Sequence, residues 1–213
     1  MKNYGVIFDL DGTLWDVAGV THKSANEVAK KYGLNYVTEK AILDSFGLPK
    51  EGSAKNFFPH LPLDVSVPYV EEIISLNIDN LFKLGGRLYP NVIPMLEELS
   101  RDYGLFIVTN SPQRRYAESF IYSSNTGKYF RKYYSAGELG LTKAQAIKKT
   151  VNDFKLQKAV YVGDTQTDCD SAKEAGVGFI YADYGFGNLD AEAVTVSGLD
   201  ELPAAVKRVF SEK

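Results

Sequence analysis

The 213-residue chain is long enough for one full hydrophobic core plus an insertion, and its 45% apolar and 24% charged content is that of an ordinary globular protein. A net charge of -3 with scattered Lys and Arg gives no nucleic-acid-binding stripe, and no apolar run approaches the roughly 18 residues of a membrane span. The single cysteine, Cys169, excludes an internal disulfide framework; with the first apolar run starting at Tyr4, no leader is expected and the expected compartment is the cytoplasm.

The short apolar run Tyr4–Phe8 predicts a strand that runs directly into Asp9-Leu10-Asp11-Gly12-Thr13-Leu14. Strand alternation would turn Asp9 and Asp11 the same way, with Leu10 toward the core. Two like charges about 4 Å apart repel by roughly 4 kcal/mol at an effective dielectric near 20. A buried strand end accommodates that only with a cation, a shared proton or chemistry. From about Val17 to Leu84 no strand pattern is present. Ala25, Val28, Ala29 and Tyr32 fall at helical spacing and predict a helix ending at Gly33. The Pro-rich piece Pro59–Pro68 is expected to break the helices. Beyond it, Val70, Ile73, Ile74, Ile78, Leu81 and Phe82 predict a longer helix closed by Gly85-Gly86. A helical insertion over 17–85 follows, leaving and rejoining the rest near 16–19 and 85–87.

A helix is predicted at Val92–Leu99 and a strand at Leu105–Thr109. Thr109-Asn110-Ser111-Pro112 follows, with Pro112 suited to a first helical position. A hydroxyl beside free backbone N–H groups fits a phosphate, although a plain Ser or Asn cap reads equally well. Arg114-Arg115 read as a solvated helix face. A weaker strand lies near Tyr133–Ala136. Thr142-Lys143-Ala144-Gln145 reads as a capping box, which puts Lys143 at the positive end of a helix continuing through Ala146–Phe154. Helix stability does not explain a cation there; an anion in front of it would. The strand Ala159–Val162 leads to Gly163-Asp164-Thr165-Gln166-Thr167-Asp168. Asp164 falls at the strand tip and Asp168 in the first helical turn, where helix electrostatics alone would suit it. Val177–Tyr181 is a further strand.

Strand and helix in alternation predict an α/β fold with a parallel sheet covered on both faces, and such sheets bind ligands outside the carboxyl ends of their strands. Asp9, Thr109 and Asp164 all stand at those ends. Asp9, Asp11, Asp164 and Asp168 together make a hard, oxygen-rich cluster of the kind that holds Mg²⁺, and no Cys/His cluster competes for a softer metal.

The order DxDGTLxD from Asp9 to Asp16, Val108-Thr109-Asn110, an isolated Lys143 and GDxxxD from Gly163 to Asp168 resembles the haloacid dehalogenase-like phosphohydrolases. Leu88-Tyr89-Pro90-Asn91-Val92 and Tyr184-Gly185-Phe186-Gly187 add a likeness to the phosphoglycolate phosphatase and β-phosphoglucomutase-like branch. Ala144 departs from that pattern, since many relatives follow the lysine with proline. The resemblance implies a Rossmann-like three-layer core over 1–16 and 86–213, with an inserted α-helical cap over 17–85. It implies a Mg²⁺-dependent phosphatase of a small phosphorylated metabolite, with Asp9 as nucleophile and Asp11 as acid and base. The metal would be held by Asp9, the Asp11 backbone carbonyl and Asp164, with Asp168 orienting metal-bound water. Thr109, Asn110 and Lys143 would bind the phosphoryl oxygens. A phosphomutase shares the covalent intermediate, and a metal-binding protein without catalysis shares the acids; both are alternatives. The second acid, Asp11, argues against a dehalogenase. Over the site, His22, Lys23, Lys50 and Lys55 are candidate cap contacts, while His60, between Pro59 and Pro62, reads as structural. Trp15 and Phe186 are candidates for the mouth of the site or for ordinary packing. No nucleic-acid or membrane partner is expected, and the oligomeric state has no signature.

Overall fold

The computed structural model describes residues 3–211. Strands β1 (Tyr4–Phe8), β4 (Gly104–Thr109), β5 (Phe130–Ser135), β6 (Lys158–Gly163), β7 (Gly178–Ala182) and β8 (Val194–Val196) form one sheet in the order β5-β4-β1-β6-β7-β8. Every pairing in it is parallel. The central strands are apolar on both faces, as a sheet covered on both sides requires. On one face Ile7, Phe106, Val108 and Tyr161 pack against helices α7 (Lys143–Asp153) and α8 (Gln166–Ala175). On the other, Val6, Phe8, Leu105, Ile107, Val160 and Val162 meet α5 (Val92–Leu99), α6 (Arg114–Ser124) and α9 (Leu202–Ser211). This is a three-layer, Rossmann-like α/β core.

Between β1 and the rest of the sheet domain lie β2 (Trp15–Asp16), then α1 (Ala18–Lys31), α2 (Glu39–Leu43), α3 (Lys50–Phe57), α4 (Leu63–Leu84) and β3 (Arg87–Leu88). The four helices bury a cluster of their own, including Ala25, Val28, Ile42, Phe57, Val70 and Ile73. Ile78 and Leu81, near the end of α4, belong instead to the core of the sheet domain. α4 therefore stitches the two apolar clusters together, and Val20 of α1 and Phe46 also pack against the sheet-domain core. β2 and β3 pair antiparallel, Trp15 with Leu88 and Asp16 with Arg87, and an Arg87–Asp16 ion pair of 2.8 Å lies over the pairing.

Several elements differ from the sequence expectation. Pro68 lies inside α4, six residues into the helix, so the break is confined to the segment ending at Pro62. The carbonyl deprived of its usual partner is that of Asp64, an exposed residue in the first turn, where the loss costs least. Pro112 precedes α6 rather than opening it, because Gln113 is the extended residue before the first helical turn. β5 begins at Phe130, earlier than its apolar residues suggest, because exposed Arg131 and Lys132 occupy an edge strand. The short strands β2, β3 and β8 carry too few residues to show alternation. No helix among the described residues is long and apolar enough to cross a membrane.

Candidate active site

The three adjacent strands β4, β1 and β6 end side by side, and their carboxyl ends carry Thr109, Asp9 and Asp164. β1 continues its pairing for one residue, the Asp9 N–H donating to the Val162 carbonyl at 2.9 Å. Asp11 lies in the turn beyond the strand. The N–H groups of Thr13, Leu14 and Trp15 all converge on the Leu10 carbonyl, and Gly12 takes φ +77°. A side chain at Gly12 would also meet the Asp164 carboxylate at 2.1 Å, so this position accepts only glycine.

Asp9, Asp164 and Asp168 are buried, and each has a carboxylate oxygen within 4.8 Å of the others'. The N-terminal and C-terminal acids thus converge. Lys143, also buried, places its Nζ 2.6 Å from Asp168 Oδ1 and 3.3 Å from Asp9 Oδ2. Thr142 and Gln145 form the expected capping box. The anion that explains a lysine in this first turn is supplied by the protein's own carboxylates. Burial works against the Lys143 charge, but Asp168 and Asp9 outweigh it and hold the ammonium protonated well above its ordinary range.

Each acid is oriented by specific donors. Asp168 Oδ2 accepts from the Thr165 hydroxyl at 2.7 Å and the Thr165 N–H at 3.1 Å, so Asp168 serves as the capping partner of α8 while its other oxygen holds Lys143. Asp164 Oδ2 accepts from the N–H groups of Phe186 at 2.8 Å and Gly187 at 3.3 Å, and Oδ1 accepts from the Thr13 hydroxyl at 3.2 Å. A Cβ at Gly185 would lie 2.2 Å from Asp164 Cβ, so the backbone closes over the acid only with glycine there. Asp11 Oδ1 accepts from the Trp15 indole N–H at 2.9 Å and the Tyr116 hydroxyl at 2.6 Å.

Burial pushes Asp9, Asp11 and Asp164 all up. Asp9 rises well above the carboxylate range, chiefly by burial, with Lys143 opposing and Asp168, Asp11 and Asp164 adding to it. Asp11 is raised to about 6, burial prevailing over the Tyr116 and Trp15 hydrogen bonds. Asp164 is raised to about 7 by burial and by Asp168, against the backbone donors and Lys143. Like acids crowded out of water hold protons until a cation replaces them. The donor set is all oxygen, which fits a hard divalent cation.

A cavity of about 160 Å³ opens onto these groups. Its floor includes Asp9, Asp11, Thr109, Asn110, Lys143 and Asp164, and its roof comes from the helical insertion through Ile42, Phe46, Phe57, Val70, Ile73 and Ile74. Thr109 Oγ1 accepts from the Ser111 N–H at 3.3 Å. None of His22, Lys23, Lys50 or Lys55 lines the cavity. His22 meets the Tyr36 hydroxyl at 2.7 Å, Lys50 pairs with Glu71, Lys23 lies 4.0 Å from Glu27, and Lys55 is exposed. Their helices bury apolar faces toward the site, which turns the charged residues outward. Trp15 is buried with its N–H on Asp11, and Phe186 stacks on Phe46 of the insertion at 4.5 Å between centroids and 12° between planes. His60 and Arg114-Arg115 are exposed.

Tyr116 and Thr13 escape sequence reading. Tyr116 stands 105 residues from the acid it touches, and nothing in its surroundings marks it. Thr13 and the glycines at 12, 185 and 187 lie within the stretches Asp9–Asp16 and Tyr184–Gly187, but their common target, Asp164, is brought to them only by folding.

The haloacid dehalogenase-like hydrolase family profile matches residues 6–182. A phosphoglycolate phosphatase of Rhodobacter capsulatus is 27% identical over 221 residues, spanning 95% of this chain and 90% of the relative. One of Vibrio parahaemolyticus is 25% identical over 207 residues, spanning 92% and 89%. Among solved structures, a haloacid dehalogenase-like family hydrolase of Streptococcus pneumoniae superposes with a TM-score of 0.84 at 24% identity, covering 96% of this chain and 98% of that one. A predicted phosphoglycolate phosphatase of Haemophilus somnus gives 0.81 at 21% identity, covering 97% and 98%. At these identities the structural likeness speaks for the fold.

Proposed function

The chain belongs to the haloacid dehalogenase-like hydrolases, and on that premise we propose that it is a Mg²⁺-dependent phosphatase acting on a small phosphorylated metabolite through a phosphoaspartate at Asp9. The observation that carries this reading is the gathering of Asp9, Asp164, Asp168 and Lys143 at one sheet edge, with Asp9, Lys143 and Asp164 lining one cavity and Asp168 buried behind them. The phosphatase names of the relatives support it.

An Asp9 oxygen attacks phosphorus while the ester P–O bond breaks, and Asp11 gives its proton to the leaving oxygen. Water then loses a proton to Asp11 and attacks the same phosphorus. The bond to Asp9 breaks, phosphate leaves and both acids are restored. An acid raised to about 6 has both protonation states within reach near neutrality, as the two half-reactions require. Thr109, Asn110 and Lys143 bind the phosphoryl oxygens, which in phosphoryl transfer is mainly positioning and charge neutralisation. Mg²⁺ would be held by Asp9, the Asp11 carbonyl and Asp164, with Asp168 supporting the metal's water, and would supply positive charge against the phosphoryl oxygens. The core over 1–16 and 86–213 carries this chemistry, and the insertion over 17–85 acts as a cap that excludes water.

The test is phosphate release by the purified protein from a panel of phosphorylated metabolites with Mg²⁺. Turnover that disappears in Asp9→Asn is the expected result. A protein that stays folded, binds Mg²⁺ and hydrolyses nothing in the panel would refute the assignment.

A further inference from the structure

We propose that the cavity selects an uncharged, apolar leaving group, so that phosphomonoesters carrying a second anion, phosphoglycolate among them, are poor substrates. This rests on the phosphatase reading above and narrows its substrate class.

The charged residues lining the cavity are Asp9, Asp11, Lys143 and Asp164, and all four lie on the floor. Three are acids, and the one cation is already held by Asp168 at 2.6 Å and Asp9 at 3.3 Å. Among the described residues, the insertion sends no Lys, Arg or His into the cavity. Its polar lining residues are neutral and in part spoken for. Asn77 donates to the Thr21 hydroxyl at 3.2 Å, and the Ser45 hydroxyl donates to the Ala41 carbonyl at 2.7 Å. What remains of the roof is aliphatic and aromatic, chiefly Ile42, Phe46, Phe57 and Ile74.

A carboxylate on the leaving group would exchange water for that apolar roof with no cation to receive it, which is costly. An alkyl leaving group avoids that penalty, and its affinity should rise about fourfold for each methylene buried, equivalent to about 0.8 kcal/mol. The cavity volume of about 160 Å³ is near the roughly 150 Å³ that takes one benzene in an engineered apolar cavity, so the favoured group is small.

The deciding experiment pairs near-isosteres in two measurements on the full chain with Mg²⁺. Turnover compares propyl phosphate with phosphoglycolate; binding by calorimetry compares butylphosphonate with 3-phosphonopropionate, neither of which can be hydrolysed. The expected result is at least a tenfold preference for the uncharged member in kcat/KM and in Kd. In Ser53→Lys, a half-buried roof position, the preference should shrink or reverse. Equal or better use of phosphoglycolate, or equal or tighter binding of 3-phosphonopropionate, overturns the proposal and leaves the phosphatase reading intact. Tighter binding of butylphosphonate with no ester hydrolysed does the opposite: the selectivity stands and the phosphatase reading falls. Failure of butylphosphonate to bind at millimolar concentration overturns the selectivity directly.

Discussion

Lys143 lies in the first turn of α7, where the helix dipole mildly disfavours a cation, and it is buried as well. It is stable there because two buried carboxylates take its charge. Lys143→Met keeps the volume but leaves Asp9 and Asp168 unpaired, and should lower stability by about 3–5 kcal/mol in denaturant unfolding. Asp9→Asn acts in the opposite direction. It replaces an acid whose ionisation burial already disfavours, and Asp168 still holds Lys143, so the melting temperature should hold or rise while phosphatase turnover falls by about 10⁴-fold or more. Tyr116→Phe deletes a hydroxyl that favours the ionised form of Asp11. The limb of the pH–rate profile belonging to Asp11 should therefore move to higher pH, and an unmoved limb would remove Tyr116 from the site's electrostatics. The four acids and the lysine were legible because each follows an apolar run or a cap at a readable spacing. Tyr116 was not, because its partner lies across the fold. The charged residues of the insertion face away from the cavity for a reason the sequence does not carry: charge marks a side chain as polar without saying which way its helix faces.

Elements whose pattern spans several turns or strand residues show nearly their observed limits in the sequence, as β1, β4 and α5 illustrate, while for α1 the spacing marks only the end and not the start at Ala18. Those set by a partner do not. β2 and β3 have two residues each and exist only because they lie beside one another, while α4 runs through Pro68 because its first turn reaches water. The β2–β3 pairing depends on Gly86, where a Cβ would approach Trp15 Cε3 to 2.7 Å and Val17 Cγ1 to 2.9 Å. Gly86→Val should lower the melting temperature by several degrees, with the sheet's circular dichroism retained. The Arg87–Asp16 pair is exposed on its arginine side, so Arg87→Ala should change stability little.

For the molecule as a whole, the acid cluster couples folding to protons and metal. Asp164 is held at about 7 and Asp9 well above the ordinary range, whereas both return to about 4 on unfolding. The folded state therefore binds the extra protons. Their stabilising contribution is complete below about pH 4 and is lost as pH rises through about 7. The metal-free protein should melt several degrees lower at pH 8 than at pH 5.5, and Mg²⁺ should restore most of that loss at pH 8 while adding little at pH 5.5. Thermal unfolding in EDTA and in Mg²⁺ at both values checks this, and an equal metal effect at the two would contradict it. The ladder linking Asp16 to Arg87 has a consequence of another kind. The chain leaves and re-enters the sheet domain through two backbone positions one strand-width apart, so the loops and helices between them can lengthen, shorten or be exchanged without altering strand register, provided the end of α4 keeps Ile78 and Leu81 in the core. Descendants of such a chain can trade one roof for another while inheriting the same reactive floor, and the taste for a substrate can drift separately from the power to cleave it.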